Sequence, residues 1–390
     1  MNTLPLDLYK VIAYGLGNDT WQQFVDRYNE KYNTAQVDGF EFAPLQLSYT
    51  FQQLVAETGA HTLPAYVDPE SPGYEAALRE VQGKTGNIPT MKKFYRLNRV
   101  IVSERLRLLQ QVGSAGLTPE MQNVFMGLID EGTDGLIGSF MNALTHQRMQ
   151  IVSTGKFTID DKNNPRGLQG ITIDFLDQDH YDTLTTTARW WTNATHTSEG
   201  SAADPIQYIK DRVKYIRRTK HYLGGLHVEI SQDLYDDLLT HSAVLKRIGH
   251  AMFPTSADDT AAIANAKNLA ENTIGEWLNR LCGIAIVPKD SVSYVDTPDA
   301  TNHDIVTSEI ESFDSKNIAF VPDGKLGDIM GVAPITLGYD ADKVALYDGG
   351  RLVLTQRAIP ETHSIYIESE AAQLCVPSAV RGMFVSTVTA

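Results

Sequence analysis

Residues 118–152 read TPEMQNVFMGLIDEGTDGLIGSFMNALTHQRMQIV, and the interpretation of the remaining chain depends on this stretch. Thr118 can cap a helix through its hydroxyl, Pro119 suits the first helical position, and Glu120 faces the positive end of the helix dipole. The apolar residues that follow recur at helical spacing. We therefore predict one helix over 118–152, roughly 50 Å long at a rise of about 1.5 Å per residue.

Glycines are unusually frequent inside this predicted helix, and each costs on the order of 1 kcal/mol relative to alanine. They either interrupt the helix or let another backbone approach it closely. The glycines are Gly127, Gly132, Gly135 and Gly138. The chain contains no H-E-x-x-H, G-x-S-x-G or G-x-G-x-x-G motif. A long helix of this kind in a chain without a catalytic motif indicates scaffolding and assembly rather than chemistry.

The composition is that of an ordinary globular protein, with 390 residues, 42% hydrophobic and 21% charged. This length suits two domains or one large elaborated domain. No apolar run approaches the ~20 residues of a membrane span, and we expect no secretory signal. Cys282 and Cys375 lie far apart, which favours buried thiols in a reducing compartment. A net charge of −15 disfavours a protein that grips nucleic acid through clustered Lys and Arg.

Two segments precede the long helix. Residues 1–57 mix a short helical pattern that includes Trp21 with extended pieces, and residues 61–103 indicate a long hairpin with strands near 62–67 and 91–103 and a turn region over 83–89. An isolated two-stranded hairpin is at best marginally stable, so this one needs contacts from the same chain or a neighbouring one.

Positive charge concentrates in this predicted hairpin and directly after it, although the protein as a whole is acidic. The cations are Lys92, Lys93, Arg96, Arg99, Arg105 and Arg107, and Lys84 lies near the predicted tip. Two interpretations remain open at this point. The cations line either a solvated strand face or an arm that lies on an acidic neighbouring subunit.

The chain after the long helix alternates strands and helices. Residues 155–159 and 170–175 predict a second hairpin, and the adjacent Trp190 and Trp191 are more typical of a packing anchor than of a ligand platform. From Asp204 onward the pattern predicts a compact α/β layer domain. Its helices are expected over 204–219, 231–248 and 258–281, and its strands over 227–230, 284–287, 292–295 and 317–321. The tail predicts strands over 351–356, 363–368, 373–376 and 380–388, which we expect to pair with strands flanking the long helix.

Possible chemical sites have little local support. Gly83-Lys84-Thr85 matches the end of a phosphate-binding loop, but the glycine required five residues earlier is Leu78. Loop carboxylates and a histidine could bind a metal, yet loop carboxylates at this density are usually solvated. These residues are Asp177, Asp179 and His180, with Asp160 and Asp161. We predict no catalytic residue, metal or cofactor, and the rival hypothesis is a soluble α/β enzyme that uses the Asp177–His180 cluster.

The order of these parts resembles the tailed-bacteriophage major capsid proteins with the HK97-like fold, most closely the lambda-type (protein E) family. The resemblance covers nearly the whole chain as a pattern of parts. It rests on Gly155-Lys156-Phe157 after the helix, Trp190 or Trp191 followed by Asp204-Pro205-Ile206, the segment 318–327 with its Pro322-Asp323-Gly324 turn, and the closing strands from Ser364 through Pro377 to Val380.

The resemblance implies an α+β fold with a defined division of labour. Residues 1–57 would be the N-terminal arm, 58–103 the extended loop on the adjacent subunit, and 104–204 the peripheral domain with its spine helix over 118–152. Residues 205–345 would form the axial domain, and 346–390 the closing strands. Contacts between subunits are then expected at Lys84, Lys92, Lys93, Arg96, Arg99 and Trp21.

The function that the resemblance implies is structural. Such a chain self-assembles into hexamers and pentamers of an icosahedral shell around double-stranded DNA, which it binds without sequence specificity. Scaffold, portal and decoration proteins are the expected further partners, with assembly in the bacterial cytoplasm, residence in the virion and no membrane. An encapsulin-like shell that stores cargo is the alternative within the same fold.

Overall fold

The computed structural model describes residues 22, 25–26, 37–56, 81–97, 119–165, 167, 169–191, 200–256, 258–289, 292–298, 305–333, 343–359 and 364–389. Helices and sheets are mixed along these residues, and the chain has an α+β fold. This composition fits the HK97-like fold that the resemblance implies. Among the described helices, none combines the length and the apolar character that a membrane span needs.

The helices begin with one element much longer than the rest. The α-helices of the described residues are α1 (Pro119–Thr154), α2 (Pro205–Arg218), α3 (Gln232–Thr240), α4 (Ser242–Met252), α5 (Asp259–Lys267) and α6 (Glu271–Cys282). Helix α1 occupies the stretch over which the sequence predicts a helix, and it runs through the glycines without interruption.

The strands divide into groups before and after α1. Those before it are β1 (Phe40–Phe42), β2 (Thr50–Ala56), β3 (Val81–Asn87) and β4 (Thr90–Leu97). Between α1 and residue 300 lie β5 (Lys156–Ile159), β6 (Ile171–Asp174), β7 (Tyr181–Thr183), β8 (Leu226–Ser231), β9 (Ala285–Lys289) and β10 (Val292–Pro298). The remaining strands are β11 (Ile305–Glu311), β12 (Asn317–Pro322), β13 (Gly327–Gly331), β14 (Lys343–Tyr347), β15 (Leu352–Ile359), β16 (Ser364–Pro377) and β17 (Phe384–Thr387).

The chain divides into two compact units, and the first draws on residues 1–51, 86–145 and 328–375. Its sheet has the strand order β1-β13-β16-β15-β14, and β4 also pairs with β16. The β4–β16 ladder is antiparallel and places Leu97 opposite Ile365. Helix α1 contributes Leu136, Phe140 and Leu144 to the core of this unit.

The second unit draws on residues 52–85, 146–327 and 376–390. Its five-stranded sheet has the order β7-β17-β12-β8-β9. Strand β12 is antiparallel to both β8 and β17, whereas β8 pairs in parallel with β9 and β17 with β7. Helix α2 begins as predicted, because the Asp204 carboxylate accepts a hydrogen bond from the Gln207 backbone N–H at 3.1 Å.

Several local predictions are confirmed. Strands β5 and β6 form the antiparallel hairpin expected after α1. Trp190 and Trp191 are buried in the core cluster of the second unit, which is the anchoring role expected of them. The tail strands pair with strands on both sides of α1 in sequence, since β16 pairs with β4 and β17 pairs with β7.

The predicted turn region over 83–89 is wrong for residues 83–87, which belong to strand β3 paired with β2; only residues 88–89 connect β3 to β4. Gly86 marks a packing requirement rather than a turn. A Cβ atom at this position would lie 2.7 Å from Cε1 of Phe51. Glycine thus lets the aromatic ring lie directly against the strand. The predicted partner strand at 62–67 lies outside the described residues.

Three other boundaries differ from the prediction. The helix expected over 231–248 is two helices, because the chain turns at His241, whose Nδ1 accepts from the Ala243 N–H and caps α4. The helix expected over 258–281 is likewise divided, between Asn268 and Ala270. Strands expected over 363–368 and 373–376 are one strand, β16, because the residues between them continue the strand, with Ser369, Ala371 and Ala372 buried. The predicted domain limits at 57, 103, 204 and 345 stay predictions.

Candidate intersubunit surface

Strand β4 exposes one face that combines an aromatic ring with two cations. Lys92, Phe94 and Arg96 are exposed, because alternate side chains of a strand point to the same face. Phe94 is 60% exposed. The register places these three side chains opposite Glu370, Glu368 and Tyr366 of β16. The exposed β4 face therefore carries two cations, and two carboxylates of β16 lie beside it.

The cations of this face contact the neighbouring strand of the same chain. Lys92 Nζ lies 2.9 Å from Glu370 Oε2, and this hydrogen bond raises the pKa of Lys92. The Arg96 guanidinium lies 5.5 Å from the centre of the Tyr366 ring, and the Phe94 ring lies 5.8 Å from the same ring. These contacts fix the side chains in place on the surface without burying Phe94.

The opposite face of β4 lies on helix α1. Lys93 Nζ donates a hydrogen bond to Ser139 Oγ at 3.0 Å. A Cβ atom at Gly135 would lie 2.8 Å from the Tyr95 hydroxyl, so this glycine makes room for the ring. Lys93 is thus engaged within its own chain, and Gly135 allows a side chain, not a second backbone, to approach the helix.

The other predicted contact residues are not brought to the same place. Lys84 is part of β3, and its Nζ lies 2.9 Å from Asp177 Oδ1. Both side chains of this pair are partly exposed, and such pairs contribute roughly 0–1 kcal/mol. Trp21 and Arg99 lie outside the described residues.

Three of the four carboxylates considered as metal ligands, Asp160, Asp177 and Asp179, have other partners. Besides the Asp177–Lys84 pair, Asp179 pairs with Lys220; burial favours a higher pKa for Asp179, but Lys220 holds it below its ordinary value. His180 Nδ1 donates to the Met383 carbonyl at 2.7 Å, and burial lowers the pKa of this imidazole. Asp160 accepts from the backbone N–H groups of a turn. Among the described residues, no three His, Cys, Asp or Glu side chains are grouped to hold a metal ion.

A buried charge cluster in the second unit was not predicted. Arg148 of α1 and Glu229 of β8 are 2% and 0% exposed, and Arg148 Nη1 donates to Glu229 Oε2 at 2.6 Å. Around them, Lys289 Nζ lies 3.4 Å and His227 Nε2 3.3 Å from Glu229 Oε1. The sequence feature that could have predicted this cluster is the position of Arg148, which is at helical spacing from the buried Leu144 and Ile151.

No protein-family model and no curated protein sequence matches this chain. Solved structures do show a similarity. A phage-related protein of Bordetella bronchiseptica RB50 is 14% identical, with a TM-score of 0.46 and 97% of this chain and 95% of that one covered. A protein of E. coli CFT073 provisionally described as a prophage capsid protein is 12% identical, with a TM-score of 0.45 and coverages of 93% and 98%.

A third similar structure is the mature capsid of bacteriophage PhiM1, at 11% identity and a TM-score of 0.40, with 90% of this chain and 86% of that one covered. With TM-scores of 0.46 or less, these similarities do not by themselves assign the chain to a family.

Proposed function

We propose that this chain is a shell subunit, the major capsid protein of a tailed double-stranded DNA bacteriophage. The observation that carries the proposal is the exposed β4 face, on which Phe94 stands between two cations at the edge of a sheet. A large exposed apolar ring on an edge strand, which β4 is among the described strands, marks an interaction site or an aggregation hazard. If another copy of the chain covers this face in the shell, the exposed ring becomes part of an assembly contact.

The order of parts along the sequence supports the same proposal. The lambda-type family that the sequence resembles uses an N-terminal arm, an extended loop, a spine helix and an axial domain in this order. We assign these parts to residues 1–57, 58–103, 104–204 and 205–345, with closing strands over 346–390. Chains joined head to tail form rings when the rotation closes, as hexamers and pentamers require.

The expected partners follow from the same role. The shell would enclose double-stranded DNA without reading its sequence, and a net charge of −15 keeps the protein from binding DNA strongly. Portal, scaffold and decoration proteins would complete the particle, which would assemble in the bacterial cytoplasm. We expect no catalytic activity and no cofactor.

Negative-stain microscopy combined with size-exclusion chromatography tests the proposed function. The purified protein is expected to form closed shells, or rings of five or six subunits, as its concentration rises. DNA or a packaged protein inside the shells would separate a phage capsid from a cargo-storing shell. A chain that stays monomeric at every concentration and salt, with residues 61–103 resistant to protease, would contradict the proposal.

A further inference from the structure

Among the described strands of the second unit, the antiparallel ribbon formed by β10 and β11 joins no larger sheet. Its two strands pair only with each other among the described strands, with Tyr294 opposite Glu309 and Val292 opposite Glu311. A two-stranded ribbon is marginally stable without further contacts. Among the described strands its outer edges are unpaired, and the exposed side chains of one of its faces can contact another molecule.

This available face of the ribbon is acidic and partly apolar. Alternation places Val292, Tyr294 and Asp296 on the same side of the ribbon as Glu309 and Glu311. Tyr294 is 61% exposed, and both glutamates are exposed. Asp296 accepts a hydrogen bond from Thr307 at 3.0 Å. We call these five residues the acidic ribbon face.

A surface of opposite charge lies at the C-terminal end of α2. Lys214, Arg217 and Arg218 are exposed there at spacings of three and four residues, which place them on one side of the helix. The described residues supply no ion pair to these three cations. Leu223, 86% exposed, follows in the turn that leads to β8. We call these four residues the basic end of α2.

The two surfaces lie at opposite ends of the same sheet. Helix α2 runs antiparallel to β17, since Tyr208 bonds Ser386 while Tyr215 packs on Phe384, seven residues later in the helix. Its basic end thus lies where β8 begins at Leu226, opposite Pro322. The ribbon leaves from the other end, after Lys289, which pairs with Ser231 at the end of β8. A strand of this length separates the two ends by roughly 17 Å.

We infer that the acidic ribbon face of one copy docks against the basic end of α2 in the next copy. This inference rests on the proposed function and names the contact that builds the ring. Opposite charges on opposite ends of one sheet meet between copies arranged head to tail. Such a heterologous contact repeats around a ring until it closes. Tyr294 and Val292 then find an apolar partner in Leu223.

Charge reversal in the full-length protein tests the contact. Glu309→Lys and Arg217→Glu each place like charges across the interface, and each is expected to raise the concentration at half-assembly about fivefold or more. The combined variant Glu309→Lys/Arg217→Glu restores opposite charges, so assembly is expected to recover. Glu276→Lys on α6 and Lys267→Glu on α5 are matched controls, since both residues are exposed and lie outside the two surfaces.

A variant without a charge change distinguishes a loss of the contact from a loss of folding. Tyr294→Ser removes the exposed ring without a charge change, and it is expected to weaken assembly while the circular dichroism spectrum stays that of the wild type. Assembly should also weaken with rising salt, because the contact is between exposed charges.

The outcomes separate this contact from the proposed function. Shells that form equally well in all variants, or a combined variant no better than either single one, would overturn the contact and leave the shell proposal intact. A wild-type chain that never assembles would overturn both. DNA binding that is lost in Arg217→Glu while assembly stays unchanged would assign the basic end of α2 to a polyanion instead.

Discussion

Arg148 and Glu229 form an ion pair inside the core of the second unit, and each depends on the other for its charge. A carboxylate removed from such a pair leaves an uncompensated buried guanidinium. We therefore expect Glu229→Gln to lower the free energy of unfolding by about 3–5 kcal/mol, measured by urea denaturation. Glu276→Gln on the exposed side of α6 is the control and should change it by less than about 0.5 kcal/mol.

An apolar replacement of the whole pair gives the complementary result. Arg148→Met/Glu229→Leu removes both charges together, and it should be much closer to wild type than Glu229→Gln alone. If the single variant lost under about 1 kcal/mol, the pair would have to be solvated, contrary to its burial.

His227 makes the stability of the second unit depend on pH. Its imidazole bonds Glu229 at 3.3 Å and Asp323 at 2.7 Å, and these carboxylates raise the pKa of His227 above its ordinary 6.5 despite partial burial. Burial favours a higher pKa for Glu229, but the bonds from His227 and Arg148 outweigh it and lower this pKa from 4.5 to about 2. The histidine therefore stabilises the fold fully below pH 6.5 and loses this contribution as pH rises through its folded pKa.

The expected measurement is the urea midpoint between about pH 6 and about pH 9. The wild type should become less stable over this interval, and His227→Gln should show a smaller change. His221→Asn serves as the matched control because His221 lies in an exposed turn with positive φ, which asparagine tolerates. It should keep the wild-type slope, and an equal slope in His227→Gln would contradict the role of His227.

At the scale of elements, Gly155 determines how α1 ends. Its φ of +69° lies in the left-handed region, and its N–H donates to the Ile151 carbonyl at 2.8 Å, which closes the helix. A Cβ atom here would also collide with the Tyr181 hydroxyl and with Leu176 Cδ1, the latter at 2.7 Å. The position thus combines a backbone requirement with a packing requirement.

Gly283, at the end of α6, separates these two requirements. Its φ is +73°, but a Cβ atom would meet nothing within 4 Å. Gly283→Ala should therefore cost about 1–2 kcal/mol from backbone strain alone. Gly155→Ala should cost about 1–3 kcal/mol more in a urea titration, because it also overpacks its surroundings. Equal losses in the two variants would show that the neighbours of Gly155 move aside freely.

Elements with strong local signals could be predicted from the sequence. Pro119 and a long apolar repeat predict helix α1, and the Asp204 cap predicts α2. The break at His241 could not be predicted, because histidine is not a usual helix cap and the apolar repeat continues across it. The sequence predicts a turn in place of strand β3 because glycines such as Gly83 and Gly86 usually interrupt strands. In the structure, Gly86 instead leaves room for the Phe51 ring.

At the scale of the whole molecule, the exposed β4 face should control assembly more than folding. Phe94→Ser removes an exposed ring, so monomer stability should change by less than about 0.5 kcal/mol. If the ring is covered by a neighbouring copy, the concentration at half-assembly should rise about fivefold or more in size-exclusion measurements. Phe94→Tyr keeps the ring and should assemble normally. Normal assembly of Phe94→Ser would remove this face from the shell contacts.

Only part of the candidate surface could be predicted from the sequence. The run of cations over 92–96 was visible as a departure from the acidic composition, and the structure places Lys92 and Arg96 on one exposed face. That Lys93 turns inward to Ser139, and Lys84 to Asp177, depends on strand register and on residues distant in sequence. Single-sequence patterns carry no information on such pairings.

The ladder between β4 and β16 joins two segments that are synthesised at very different times. Leu97 leaves the ribosome long before its partner Ile365, and translation of the intervening residues takes on the order of tens of seconds. During this delay β4 has no β16 to pair with, and Phe94 stands on a strand that is not yet part of a sheet. A nascent chain therefore cannot present the finished β4 face to other copies. Assembly through this face therefore has to wait until translation has passed β16.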